Sequence, residues 1–177
     1  SKNVLVQAPP QVSINPMSAI CAGQTVSPTA VINNCYEPTD SYLWTFTGGT
    51  PTSSTLLIPP AITFANAGSF NVQFQATNAC GSTTAARGIT VNPLPGNLNP
   101  TVTNALCVGA TAQFTANSIA GATYNWTGPN GFSSTLQNPQ IINVTAANAG
   151  TYTVYASLNG CQGASQTVTL TVNPAPI

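Results

Sequence analysis

The sequence contains no histidine and almost no charge. Charged residues make up 2% of the 177 residues, whereas an average soluble protein carries roughly 25%. The charged side chains are Lys2, Glu37, Asp40 and Arg87. Catalysis needs titratable groups that converge on one site, and a serine or cysteine nucleophile needs a base that histidine usually supplies. The composition therefore predicts a protein that is not an enzyme and has no catalytic residue.

The same shortage of charge excludes several kinds of partner. Nucleic-acid binding needs clustered lysine and arginine, and attachment to an anionic membrane needs a basic face. No apolar run approaches the roughly 18 residues of a membrane span. Glu37 and Asp40 share one loop, but a calcium site needs several more oxygen ligands. We therefore expect no nucleic-acid partner, no direct membrane insertion, no metal and no cofactor.

The sequence does contain enough apolar residues for a packed core, because hydrophobic residues reach 42%. Threonine, serine, asparagine and glutamine fill the polar positions. The cysteines are dispersed and form no Cys-x-x-Cys pair, so disulfides are more plausible than a metal site. Disulfides indicate an oxidising, extracellular compartment. The five cysteines are Cys21, Cys35, Cys80, Cys107 and Cys161.

An internal duplication is the most informative feature of the chain. The offset is 86 residues between Cys21 and Cys107 and 81 to 82 residues afterwards. Five segments recur in the same order: 20–26 with 106–112, 42–45 with 124–127, 65–72 with 147–154, 78–81 with 159–162, and 89–93 with 170–174. The duplication predicts two domains of similar fold, at residues 1–93 and 94–177, joined by a short proline-rich segment.

Each repeat shows the alternation of short β-strands that are buried on one face. Phe70, Val72 and Phe74 alternate with polar residues in the first repeat, and Tyr152 and Val154 do so in the second. Six to eight such strands in about 80 residues predict a two-sheet antiparallel sandwich. The two tryptophans, Trp44 and Trp126, are expected in its core. The predicted fold class is therefore all-β, with two tandem immunoglobulin-like sandwiches.

Particular motifs carry a family resemblance. Trp44-Thr-Phe-Thr-Gly-Gly49 resembles the Trp-Asp-Phe-Gly-Asp-Gly motif of PKD domains, and Ile89–Pro93 is similar to the end of such repeats. The second repeat resembles the related Ig-like repeats, with Cys-x-Gly, Tyr-x-Trp, Ala-Gly-x-Tyr and Gly-Cys motifs. Tyr152 resembles the tyrosine-corner position of immunoglobulin domains. The acidic residues of the PKD motif are absent here.

Such repeats are typical of giant surface adhesins of Bacteroidota, including the SprB type of gliding-motility adhesin, which the type IX secretion system exports. The resemblance implies an extracellular, cell-surface repeat that acts as a spacer and transmits force. Its expected partners are neighbouring repeats of the same chain, and surface polysaccharide or another cell-surface protein. The alternatives are a carbohydrate- or protein-binding module and an accessory domain of an extracellular hydrolase.

The cysteine positions suggest a pairing. In an immunoglobulin topology Cys21 and Cys107 fall in A–B turns, whereas Cys35 falls in a B–C loop and Cys80 and Cys161 in F–G turns at the other end. Disulfide Cα atoms must lie within about 7 Å. We therefore expect Cys35–Cys80 within the first domain and Cys21–Cys161 between domains, which leaves Cys107 for a further domain. The open alternative pairs Cys21 with Cys80 and Cys107 with Cys161, and leaves Cys35 free.

Three aromatic residues are candidates for ligand contact. Tyr36, Phe132 and Tyr155 lie in predicted loops or on the polar face of a predicted strand. Aromatic rings in such positions are available for stacking on a sugar. The three are scattered along the sequence, so they do not by themselves define a binding platform.

Overall fold

The computed structural model describes residues 8–33, 39, 41–103 and 105–174. The chain divides into two compact units, Ser1–Pro93 and Leu94–Ile177. Apart from one 3₁₀ helix, Ala146–Asn148, the regular structure of the described residues consists of β-strands.

The described part of the first unit contains nine strands. They are β1 (Gln11–Ile14), β2 (Ile20–Cys21), β3 (Thr25–Val26), β4 (Ala30–Asn33), β5 (Ser41–Phe46), β6 (Ser53–Ser54), β7 (Ile62–Thr63), β8 (Gly68–Asn78) and β9 (Gly81–Asn92). The larger sheet has the order β2-β9-β8-β5-β6, and the pairs β1–β4 and β3–β7 supply the opposing strands. All of these pairings are antiparallel except β2 with β9, which is parallel.

The second unit repeats this arrangement. Its strands are β10 (Thr101–Val102), β11 (Leu106–Cys107), β12 (Ala112–Thr115), β13 (Thr123–Thr127), β14 (Ser133–Ser134), β15 (Gln140–Ile141), β16 (Gly150–Leu158), β17 (Cys161–Gln162), β18 (Gln166–Leu170) and β19 (Val172–Asn173). One sheet has the order β14-β13-β16-β17, with β18 also paired to β16, and another has the order β10-β12-β15. Strand β11 pairs in parallel with β19.

Each unit encloses its own hydrophobic core between its sheets. Trp44, Phe74 and Ile62 are fully buried in the first unit, and Trp126, Tyr152 and Phe114 in the second. The alternation predicted for β8 and β16 is confirmed in the middle of each strand, where Val72, Phe74 and Ala76, and Tyr152, Val154 and Ala156, are buried, while Phe70 is half-buried. The predicted fold class, two tandem immunoglobulin-like sandwiches, is therefore confirmed.

The two units differ in the register of their central strand pair. Trp44 lies opposite Phe74 in the first unit, whereas Trp126 lies opposite Val154 in the second. Strand β8 has 11 residues and β16 has 9. Because pairing determines which side chains are neighbours, residues that correspond in the two repeats by sequence do not always occupy corresponding sites.

Candidate functional site

The two Cys-x-Gly segments form the same local structure. Cys21 pairs in register with Asn92 at the end of β9, and Cys107 pairs with Asn173 at the end of β19. In each unit the following glycine has a positive φ, 84° at Gly23 and 92° at Gly109, which favours glycine. We expected both cysteines in turns, and the carbonyl oxygen of each accepts the hydrogen bond of the following turn, from the amide of Gln24 or of Ala110. Each cysteine also closes a short strand that pairs in parallel with the last strand of its unit.

The other two described cysteines lie at hairpin turns. Cys80 lies in the turn between β8 and β9, where its amide donates to Asn78 Oδ1 at 2.9 Å. Cys161 is buried and lies opposite Leu158, after a two-residue turn of Asn159 and Gly160 with positive φ at both residues. That pair of left-handed residues is typical of a tight β-hairpin.

The geometry of each unit excludes the within-domain alternative for disulfide pairing. In the first unit the hairpin runs from the Gly68–Val91 pair, next to Cys21, to the turn that holds Cys80. Eleven strand residues span roughly 33 Å at about 3.3 Å per residue. Disulfide Cα atoms lie within about 7 Å of each other. A Cys21–Cys80 bond is therefore impossible within this sandwich.

The same argument applies to the second unit. Cys107 lies beside the end of β19, near the Gly150–Leu170 pair, and Cys161 lies at the opposite end of β16. Strand β16 has 9 residues, which span roughly 28 Å. A Cys107–Cys161 bond is therefore excluded as well.

The described cysteines differ in chemical state. Cys21 and Cys161 are each in the disulfide form. Cys107 is exposed and, among the described cysteines, has a free thiol. Cys35 lies outside the described residues, so its expected bond to Cys80 stays a prediction.

The two core tryptophans donate to backbone carbonyl oxygens at corresponding positions of the two units. Trp44 Nε1 donates to the carbonyl oxygen of Leu57, and Trp126 Nε1 donates to that of Gln137, both at 3.3 Å. Both indoles are fully buried, so each needs an acceptor for its N–H group. Each tryptophan therefore fixes the connection that follows the edge strand of its sheet.

Tyr152 forms the tyrosine corner that its motif resembles. Its hydroxyl donates to the carbonyl oxygen of Asn148 at 2.7 Å, four residues upstream, and its ring is fully buried. Burial raises the pKa of Tyr152, because the charged phenolate is disfavoured away from water. The corresponding Phe70 of the first repeat has no hydroxyl for such a bond.

The three candidate aromatic residues have different surroundings. Tyr36 lies outside the described residues. Phe132 is partly buried, and its ring packs against those of Phe114 and Tyr152 at centroid distances of 5.6 and 5.3 Å. Phe132 is thus part of the hydrophobic cluster of the second unit. Tyr155 is half-buried on the opposite face of β16.

Tyr155 lines a groove that sequence reasoning did not identify. The groove has a volume of about 440 Å³ and is lined by Ala122, Thr123, Tyr124, Asn125, Thr135, Tyr155 and Ser157. Tyr155 lies directly opposite Asn125, and Ser157 opposite Thr123, in the β13–β16 pairing. Only the strand register reveals this grouping, because these residues are far apart in the sequence.

The first unit has a smaller, more apolar cleft of about 280 Å³, lined by Pro28, Thr29, Ala30, Leu57 and Ile58. Ile58 is 76% exposed beside it.

The two acidic residues considered for catalysis or calcium binding, Glu37 and Asp40, lie outside the described residues. Within the described ranges, no three His, Cys, Asp or Glu side chains group to form a metal site. Nor does any helix there have the length and hydrophobicity to cross a membrane.

Fold and site together define a tandem of immunoglobulin-like β-sandwich modules. Residues 11–91 match the PKD domain model, and residues 95–172 match the PKD-like domain model. The chain therefore consists of a PKD domain followed by a PKD-like domain. PKD domains are typically extracellular and generally non-catalytic. No curated protein sequence matches the chain.

Solved structures support the same fold. An I-band fragment of titin is similar with a TM-score of 0.51 and 13% identity, over 96% of this chain and 67% of the titin fragment. Extracellular domains 3–5 of Drosophila OTK are similar with a TM-score of 0.50 and 13% identity, over 92% of this chain and 62% of theirs. At such low identity the likeness concerns the fold alone.

Proposed function

We propose that the chain is a non-catalytic structural repeat of a large secreted adhesin or filament at the cell surface. Its two sandwiches space the functional parts of the parent protein and transmit force between them. The parent belongs to the SprB-type adhesins of Bacteroidota, is exported by type IX secretion and acts in gliding motility. The tandem of PKD-type modules is the observation that carries the proposal.

The polar surface also supports a spacer that lies outside the cell. With a net charge of zero and no histidine, such a surface has little long-range field and little response to ionic strength or pH. The threonine-rich outer faces of β13, β16 and β18 are paired across strands, as in Thr153 with Thr127 and Thr167. Threonine suits exposed strands because its branched side chain favours the β conformation.

The proposal includes a covalent connection between Cys21 and Cys161. Its support is that both residues are in the disulfide form. Each sandwich is too long for Cys21 to reach Cys80 in the first unit, or for Cys161 to reach Cys107 in the second. Such a bond would enclose residues 22–160 in one loop. Tension applied at the two chain ends would then bypass that loop, which makes the repeat nearly inextensible.

Peptide mapping without reduction tests the pairing. Digestion followed by mass spectrometry should give a peptide pair that contains Cys21 and Cys161 and should lose it after reduction. The expected second pair contains Cys35 and Cys80. A Cys21–Cys35 peptide would contradict the covalent connection.

Single-molecule stretching tests the mechanical role itself. The loop holds about 480 Å of extended chain at about 3.4 Å per residue, so the oxidised protein should extend by roughly that much less than the reduced protein. Under oxidising conditions the Cys161→Ser variant should regain this length except for about 150 Å, at about 3.4 Å per residue, that the expected Cys35–Cys80 bond still holds. Cys107→Ser should behave like the wild type. Equal extension of oxidised and reduced protein would contradict a force-bearing bond.

A further inference from the structure

The groove beside Tyr155 is the strongest unassigned feature of the described chain. It lies on the outer face of the second unit, because Tyr155 and Ser157 alternate with the buried Val154 and Ala156 along β16. Its volume of about 440 Å³ lies within the roughly 300–1,000 Å³ of ordinary ligand sites. The groove is therefore large enough for a ligand and is not part of the core.

The lining includes two tyrosines, but Tyr124 is buried and its hydroxyl is bonded within the unit. The ring of Tyr155 is therefore the one available to a ligand, and neutral hydrogen-bonding groups surround it. Asn125 supplies an amide with two donors and an acceptor, and Ser157, Thr123 and Thr135 supply hydroxyls. In the described structure the side chains of Asn125, Tyr155 and Ser157 form no hydrogen bond within the protein. Their donors and acceptors are thus available to a ligand. The hydroxyl of Thr123 already donates to the carbonyl oxygen of Ser157 at 3.5 Å, so it offers a ligand an acceptor.

The charge of the site restricts the ligand class. None of the lining residues is charged, so the groove offers nothing to neutralise a phosphate, a carboxylate or an ammonium group. The many polar groups also make it unsuited to a purely apolar ligand, since burying them without partners costs free energy. A ligand with neutral hydroxyls and an apolar ring face fits both restrictions.

We propose that this groove binds a segment of an uncharged polysaccharide, with one sugar ring stacked on Tyr155. The amide of Asn125 and the hydroxyls of Thr123, Thr135 and Ser157 would satisfy the sugar hydroxyls around that ring. The site goes beyond the spacer role, and neither proposal depends on the other.

The first unit provides an internal contrast. The pair that corresponds to Asn125 and Tyr155 by strand register is Leu43 and Gln75. Gln75 Nε2 donates to Thr84 Oγ1 at 3.3 Å, so its amide is already engaged, and no aromatic ring is present in this pair. We therefore expect sugar binding at the second unit and none at the equivalent place in the first.

An NMR titration of the ¹⁵N-labelled chain tests the proposal. The probes are the neutral hexasaccharides of cellulose, xylan, mannan and starch, with a glycine- and proline-rich gelatin peptide as the competing class. At least one hexasaccharide should shift the amide signals of β13 and β16 and leave those of β5 and β8 unchanged.

Variants then assign the binding to the groove. Tyr155→Thr should weaken binding by about tenfold or more, because it removes the stacking ring while keeping a residue that favours strands. Tyr155→Phe should retain most of the binding, and Asn125→Ala should weaken it while the ring stays in place. The matched control, Gln75→Ala in the first unit, should leave the affinity unchanged.

Three outcomes would overturn the proposal. One is that no hexasaccharide shifts the β13 and β16 signals. Another is that Tyr155→Thr binds as tightly as the wild type. The third is that the gelatin peptide alone shifts those signals, which would assign the groove to a protein partner.

Discussion

The hydroxyl of Tyr152 and the carbonyl oxygen of Asn148 are joined by a 2.7 Å hydrogen bond in the interior of the second unit. Asn148 is itself buried, and its Oδ1 accepts from the amide and the hydroxyl of Thr145 at 2.9 and 3.0 Å. One residue therefore connects the 3₁₀ turn at Ala146–Asn148 to the following strand β16. Loss of the bond from Tyr152 would leave the buried carbonyl oxygen of Asn148 without this donor.

We predict that Tyr152→Phe destabilises the second unit by about 1–3 kcal/mol, since the buried carbonyl of Asn148 loses its donor. Hydrogen exchange with mass spectrometry in urea would measure the effect, because it separates the peptides of the two units. The matched control is Tyr155→Phe, which removes a hydroxyl from the outer face and should change stability by less than about 0.5 kcal/mol. Equal effects of the two variants would contradict a special role for the corner.

We predict that Gly128→Ala destabilises the second unit by about 1–3 kcal/mol through overpacking. A Cβ atom at Gly128 would overlap the ring of Tyr152, and this ring is fully buried and held by its bond to Asn148. Gly96→Ala is the control, because nothing lies within 4 Å of a Cβ at Gly96. Urea midpoints of the two variants should differ, and coincident midpoints would refute the packing argument.

We predict that each tryptophan stabilises only its own unit. Trp126→Phe removes the hydrogen bond to Gln137 and leaves a void in the core, so amides of β13 and β16 should lose about 2 kcal/mol of protection. Trp44→Phe should do the same to β5 and β8. Exchange rates measured across the whole chain would reveal either pattern. A loss of protection in both units from one substitution would contradict the prediction.

We predict a stability that is nearly independent of pH between about 5 and 9, because the chain has no histidine and two acidic residues. Burial places the pKa of Tyr152 in the folded chain above its ordinary value of about 10. The protonated phenol therefore makes its full contribution to the stability of the second unit below about pH 10. This contribution is lost as the pH rises through the pKa of Tyr152 in the folded chain.

Denaturant midpoints measured across this pH range would check the prediction. Above pH 10 the denaturant midpoint of the second unit should fall less in Tyr152→Phe than in the wild type. A change of the denaturant midpoint near pH 6 to 7, where histidine ordinarily titrates, would contradict the prediction.

Some of the candidate site could be predicted from local sequence. The alternation around Phe74 and Val154 indicates which face of each strand is buried, and the Ala-Asn-Ala-Gly-x-Tyr motif identifies Tyr152 as a corner residue, because both signals depend on neighbours a few residues away. Tyr155 was identified as a residue of the polar face for the same reason. Its partners Asn125 and Thr135 were not, since they come from other strands.

The sequence by itself determined the all-β class, the duplication, the buried tryptophans and the neutral surface, because composition and period-2 alternation are properties of local segments. Only the tertiary structure decided which strands pair and in which register. It placed Cys21 and Cys107 on short strands parallel to the last strand of each unit, and it brought Asn125 next to Tyr155. Such pairings join residues that are distant in the sequence, and they depend on how the sheets pack around each core rather than on any local preference.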